Sequence, residues 1–180
     1  MPVWFRPTLL VLFVTLPLVS ACAPTNEAEQ SPASSQDAPR PTGLVTVASA
    51  HSADSTYQRL RDAIEANPNL TILFELDHQA NALSADLTMR PARLVLFGNP
   101  QAGTVLMQEA PSIGLDLPLK MLVWEDSEGQ AFVTYTDPLH LTWRHDLDDV
   151  QLLRERPDLR GIPLTMRDVL EQLATTATGE

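Results

Sequence analysis

The chain has 180 residues, 44% of them hydrophobic and 19% charged, which suits one compact domain with a real core and argues against wholesale disorder. Twelve Lys+Arg against 23 Asp+Glu leave a net charge of −11, a field that repels a nucleic-acid backbone. Lys120 is the only lysine and Cys22 the only cysteine, so there is no ammonium cluster, no disulfide framework within the chain and no Cys-rich metal site.

The first 21 residues read as a secretory signal. Arg6 precedes Leu9 to Leu18, a run that is apolar except for Thr15 and Pro17. As a helix, ten residues span ~15 Å, half of a ~30 Å hydrocarbon core, too short for a stable span. The run ends in Leu18-Val19-Ser20-Ala21-Cys22, with two small residues before the cysteine. That pattern resembles the lipobox of bacterial lipoproteins, in which the peptide is cut before the cysteine, which is then acylated. Two or more acyl chains, at ~0.8 kcal/mol per buried CH₂, hold a protein stably to a membrane. By analogy with the enterobacterial sorting rule, Ala23 rather than Asp after the cysteine favours the outer membrane, facing the periplasm.

Residues 22–42 then read as a lipidated cysteine and a disordered tether. Ala23 to Thr42 has four prolines and no Val, Ile, Leu, Met or aromatic residue. Such a stretch cannot offset its ordering entropy by burying apolar surface.

From residue 43 the pattern becomes that of an α+β domain. Gly43 to Ala50 is short and β-branched, a first strand. Ser52 can cap a helix whose Tyr57, Leu60 and Ile64 share a face, and Pro68 stops it at Asn67. Leu70, Ile72, Phe74 and Leu76 recur at every second position, a strand signal; Gln79 to Leu87 reads as a short helix or loop. Arg93 to Phe97 is a third strand. Asn99-Pro100 starts a helix with a capping side chain and a preset φ, and Pro111 with Gly114 closes it.

Leu119 to Glu125 and Gln130 to Thr136 flank Asp126-Ser127-Glu128-Gly129, a hairpin loop in which glycine supplies φ > 0. The first arm is apolar on both faces, which puts it at the sheet centre and Val123 and Trp124 in the core. Asp137-Pro138 starts another helix. Thr165 and Asp168 form a capping pair ahead of a stripe of Met166, Val169, Leu170 and Leu173.

Several short runs carry a family likeness. Asp77-His78, Phe97-Gly98-Asn99-Pro100 with Gly103-Thr104 and Leu106-Met107-Gln108, Leu115 to Lys120 (LDLPLK), and Val123-Trp124-Glu125-Asp126 together resemble the bacterial domain of unknown function 302 family. The resemblance covers residues 43–145. It implies a single β-α-β(4)-α domain, similar to half of a TATA-binding protein and often dimeric, and it implies no reaction. Residues 146–180 read as a helical extension outside that pattern.

The candidate pocket residues are Asp77, His78, Asn99, Thr104 and Asp116, placed where a strand ends or a helix begins. Gly98 to Thr104 mimics a phosphate loop, but Thr104 stands where the lysine belongs and Pro100 removes an amide donor. Asp77 beside His78 could orient a general base, although adjacent strand residues point to opposite faces. His140 and His145 are five apart and so lie on different helical faces, which disfavours a zinc helix; no metal or cofactor is expected. The reading that fits best is a lipid-anchored envelope module binding a small ligand or partner, with possible homodimerisation and no nucleic-acid partner. The alternatives are an acid–base enzyme, hydrolase-like, using Asp77 and His78 with Asp116 or Glu125, and an assembly lipoprotein acting through dimerisation.

Overall fold

The computed structural model describes residues 42–179; the signal segment, Cys22 and nearly all of the tether lie outside them. Five strands form one antiparallel sheet: β1 (Leu44–Ala48), β2 (Thr71–Asp77), β3 (Ala92–Gly98), β4 (Leu119–Glu125) and β5 (Ala131–Thr136), in the order β1-β5-β4-β3-β2. β4 is the central strand, as its apolar sequence predicts. The hairpin to β5 turns at Gly129, which takes a φ of 84° that a side chain would oppose.

Helices α1 (Ala53–Ala66) and α6 (Pro157–Thr178) cover one face. Ser52 caps α1 by accepting from the Ser55 N–H, and Tyr57, Leu60 and Ile64 are buried. They meet Val95, Phe97, Met121, Val123, Val133 and Tyr135 from the sheet, and Leu170, Leu173, Ala174 and Ala177 from α6. Arg59 of α1 donates to the Thr176 and Ala177 carbonyls, satisfying acceptors that the end of α6 leaves open. The C-terminal segment is therefore not an appendage. α6 supplies one wall of the main core.

Four shorter helices complete the fold: α2 (His78–Ser84), α3 (Pro100–Glu109), α4 (Pro138–Arg144) and α5 (Val150–Glu155), with a 3-10 turn at Pro111–Leu115. Asn99 caps α3 and Asp137 caps α4, each followed by proline, as the sequence predicts. A second cluster of Leu106, Ile113, Leu147 and Leu159 joins α3, the 3-10 turn and α6, with Leu152 and Leu153 of α5 beside it. Leu117 and Met166 touch both clusters and mark the seam between them.

Two sequence expectations change. Thr165 and Asp168 are not a cap, because α6 begins eight residues earlier, at Pro157, and runs through Pro163. Inside that helix the Thr165 hydroxyl donates back to the Gly161 carbonyl at 3.0 Å. Trp124 is not in the helix-covered core either. Alternation along β4 sends Leu119, Met121 and Val123 to the helices and Lys120, Leu122 and Trp124 to the other face. There Trp124 stacks on Phe132, centroids 4.8 Å apart, and its Nε1 donates to Thr134 Oγ1 at 2.9 Å.

That second sheet face is open. By register it presents Leu44, Phe74, Leu76, Leu94, Leu96, Leu122, Trp124 and Phe132, with only Lys120 charged. Leu44 and Phe74 are more than half exposed, at 57% and 55%. Among the described residues helices cover one face of β4 and no element covers the other.

Candidate functional site

Register sorts the sequence-predicted site residues to opposite ends of the sheet. Asp77 pairs with Arg93 at one end of β3, while Asn99 follows Gly98 at the other. Six residues at ~3.3 Å per step put ~20 Å between the two ends. Glu125 lies at the Asp77 end, where it meets Arg90, and Asp116 precedes β4 at the Asn99 end. One pocket shared by all five residues is thus excluded by the antiparallel register.

At the first end Asp77 is structural. Its Oδ1 accepts from the Ala80 N–H at 2.9 Å, capping α2, and its Oδ2 accepts from Arg93 Nε at 3.0 Å. The Ala80 amide, aided by the Arg93 guanidinium, holds the Asp77 carboxyl below its ordinary value of 3.8 against an opposing effect of burial. Among the described residues no hydrogen bond joins Asp77 to His78, which opens α2 half-buried. The same Arg93 reaches Asp54 and lies 5.5 Å from the Tyr57 ring. The Tyr57 hydroxyl donates to Glu75, and burial followed by that carboxylate pushes its pKa far above the ordinary 10.0. This corner is a charge-paired clamp between α1 and the sheet, with no free acid–base dyad.

At the second end a cleft opens around the start of α3. Two adjoining cavities, ≈450 and ≈310 Å³, both touch Asn99, Leu119 and Met166. The larger runs between Leu70 and the Gly161, Ile162, Met166 and Val169 side of α6, with Asn67, Asn69, Asp158 and Thr165 at its polar points. The smaller is bounded by Leu73, Gly103, Thr104, Met107, Leu117 and Pro118. Both volumes fall in the range of small-molecule sites, and the lining is mainly apolar with few polar groups. The cleft exists because Met166 and Leu117 are shared by two hydrophobic clusters that do not fully merge.

Asn99 and Thr104 therefore do line a common cavity. The Asn99 side chain is committed to capping, accepting from the Gln101 N–H at 2.9 Å. Thr104 Oγ1 donates to the Pro100 carbonyl at 2.7 Å, so its proton is engaged within the helix. Neither group forms the cradle of a phosphate loop. What the sequence missed is the α6 wall: Ile162, Met166 and Val169 recur at i, i+4 and i+7, a stripe legible in the chain but readable as plain core.

Asp116 sits outside this cleft. Its Oδ2 lies 2.7 Å from His145 Nε2 and its Oδ1 3.3 Å from Arg144, while its backbone carbonyl accepts from Lys120 Nζ at 2.7 Å. Burial lowers the Lys120 pKa and the Asp116 charge partly offsets that shift. His145 also meets Ser112, a partner the sequence spacing did not suggest. Among the described residues no group of three or more His, Cys, Asp or Glu side chains is placed to hold a metal, and no helix is long and apolar enough to cross a membrane.

Comparison with known proteins bears on the same residues. Two curated relatives, fluoride-specific ion channels FluC 1 of Brucella suis biovar 1 (strain 1330) and of Brucella abortus biovar 1 (strain 9-941), are each 46% identical over 105 residues. The match takes in 58% of this chain but only 41% and 38% of those proteins, so the chain spans about two-fifths of their length. A crystal structure of an uncharacterized conserved DUF302 protein from Bacillus stearothermophilus superposes with a TM-score of 0.61 at 17% identity, covering 76% of this chain and 99% of that one. It shares the fold. The family profile described as "Domain of unknown function DUF302" matches residues 45–162, running past residue 145 through α4 and α5 into the first turns of α6. With most of the chain inside that match, and the sheet and helices of the Bacillus protein reproduced, this chain belongs to the DUF302 family.

Proposed function

We propose that the chain is a lipid-anchored binding module of the bacterial cell envelope. In this reading Cys22 carries the acyl groups, the tether leads away from the outer membrane into the periplasm, and the domain binds a small, mainly apolar ligand. The observation that carries the ligand is the cleft at Asn99, ≈450 Å³ with a ≈310 Å³ annex, walled by Leu70, Leu119, Ile162 and Met166. Apolar walls favour a hydrophobic body, and Asn67 and Asn69 offer amide groups to a polar end. The charge of −11 disfavours an anion.

The test is native mass spectrometry of the full chain, extracted in mild detergent from its own membranes, with neutral Nile red as a competitor. A retained mass displaced by Nile red supports the reading. A protein that carries nothing and leaves Nile red fluorescence unchanged overturns it.

The open sheet face favours a second reading, self-association. Five strands at ~4.8 Å and about six residues at ~3.4 Å give a face of roughly 24 by 20 Å. Two such faces pressed together remove ~1,000 Å² from water, the lower bound for a stable interface. In an acidic chain this face holds no carboxylate, and its one charged group, Lys120, has its Nζ tied to the Asp116 carbonyl.

A further inference from the structure

Ser112 lies on the 3-10 turn, Asp116 directly follows that turn, and His145 caps the C-terminus of α4. The fold brings the three into line. His145 Nε2 is 2.7 Å from Asp116 Oδ2, and His145 Nδ1 is 2.9 Å from Ser112 Oγ. The imidazole is 6% exposed and the Asp116 side chain 20%, while Ser112 is open to solvent.

The proton positions follow from the partners. The Asp116 carboxylate, also approached by Arg144, can only accept, so Nε2 must carry the hydrogen that lies between them. In the neutral ring Nδ1 then holds a lone pair, and the Ser112 hydroxyl must be the donor to it. A carboxylate orienting an imidazole whose other nitrogen faces a serine proton is the arrangement that activates a serine nucleophile. The ring is turned end for end relative to the familiar serine-protease triad, but the role depends only on which nitrogen bears the lone pair. Ser112 is the second residue of the 3-10 turn, a position whose backbone N–H has no acceptor within its own turn.

We propose that Ser112, His145 and Asp116 form a hydrolytic site for small carboxylic esters, apart from the Asn99 cleft, none of whose walls they supply. Ser112 Oγ attacks the ester carbonyl carbon as its proton passes to His145 Nδ1. The tetrahedral adduct collapses, the bond to the alcohol oxygen breaks, and His145 returns the proton to the departing alcohol. Water then attacks the acyl-serine, giving its proton to His145; the bond from the acyl carbon to Oγ breaks and Ser112 is reprotonated. The sum is ester plus water to acid plus alcohol. Asp116 is a positioning residue.

A bland alternative is a hydrogen-bonded staple tying the 3-10 turn to α4. The experiment separating the two treats the full chain with a biotinylated fluorophosphonate and maps the adduct by peptide mass spectrometry, with p-nitrophenyl acetate hydrolysis as the second readout. In the adduct the Ser112 O–P bond forms, the P–F bond breaks and His145 takes the proton. Expected are an adduct on Ser112, ester turnover that falls to the buffer rate in Ser112→Ala, and labelling at least ~100-fold slower in His145→Gln. Ser112→Ala leaves His145 Nδ1 without its donor, so its melt should stay cooperative but shift down by a few degrees. Asp116→Asn should slow labelling at least ~10-fold while Ser112 stays in place, because the amide no longer dictates the tautomer. If His145→Gln does not fold, the wild-type adduct and the Asp116→Asn rate decide. No adduct on Ser112 of the folded wild type, or labelling indifferent to both His145 and Asp116, overturns the proposal and leaves the staple.

Discussion

Asp77 and Arg93 face each other across the β2–β3 register, with the carboxylate Oδ2 3.0 Å from the guanidinium Nε. The other oxygen of Asp77 caps α2, so a single side chain ties a strand end, a helix start and the neighbouring strand together. The native state thereby holds the Asp77 carboxyl below 3.8. A group lowered in the folded state adds stability that is fully present above its unfolded value and is lost as pH falls through its folded one. Asp77→Ala should therefore cost about 1 kcal/mol at pH 7, the usual worth of a cap. It should also flatten the fall in stability below pH 3.8. Asp77→Asn should keep most of the cap and show the same flattening. Urea melts across pH check both; an unaltered acid limb in Asp77→Ala would show that another carboxylate sets it.

The two faces of β4 should respond differently to truncation. Met121 is fully buried under the helices, and Met121→Ala should cost about 2–5 kcal/mol. Trp124→Ala removes a stack on Phe132 and one hydrogen bond on the open face, and should cost only about 1–2 kcal/mol. Equal losses would mean the open face is as well packed as the core.

Self-association, if it uses this face, should be sensitive to one charge there. Trp124→Glu should leave the far-ultraviolet circular dichroism of the domain unchanged and convert a dimer to monomer by light scattering. A dimer that persists places the contact elsewhere.

The C-terminal helix should be indispensable. A chain ending at Arg156 lacks Leu170, Leu173, Ala174 and Ala177, all buried against the sheet and α1. Their loss, at about 2–5 kcal/mol for each buried leucine, rivals the ~5–15 kcal/mol total stability of a domain. The truncated chain should show no cooperative melt.

Filling the smaller cavity tests the cleft. A Cβ on Gly103 would sit 3.7 Å from Leu117 Cδ1, an ordinary contact, so Gly103→Ala should be tolerated. Gly103→Leu projects further into the ≈310 Å³ space and should weaken Nile red binding at least ~10-fold while Gly103→Ala leaves it within ~2-fold. Equal binding by all three proteins would place the dye outside the cleft. The anchor has its own test. Cys22→Ser should leave an uncleaved, unacylated precursor, and normal maturation of that variant would remove the lipobox reading.

Much of the fold was legible because local chemistry and periodicity agree along the chain. Ser52, Asn99-Pro100 and Asp137-Pro138 are helix starts whatever surrounds them, since a capping oxygen and a preset φ act within three residues. The alternation in β2 to β5 and the turn at Gly129 likewise depend only on neighbours in sequence. The family motifs fell at both ends of the sheet, and only the runs around Asn99 and Leu119 border the cleft. What they could not carry was distance. Asp77 and Asn99 look alike as residues at element ends, and only antiparallel pairing shows that they stand at opposite ends of the sheet. Trp124 read as core because an apolar strand does not say which of its faces is covered; that depends on α1 and α6 both packing on one side. Ser112 and His145 are 33 residues apart, with no spacing rule to link them, and they meet because the 3-10 turn and the end of α4 fold against each other. Caps, turns and strand periods are written in short-range sterics and hydrogen bonds, whereas sites are assembled from long-range contacts, which exist only once the chain has closed on itself.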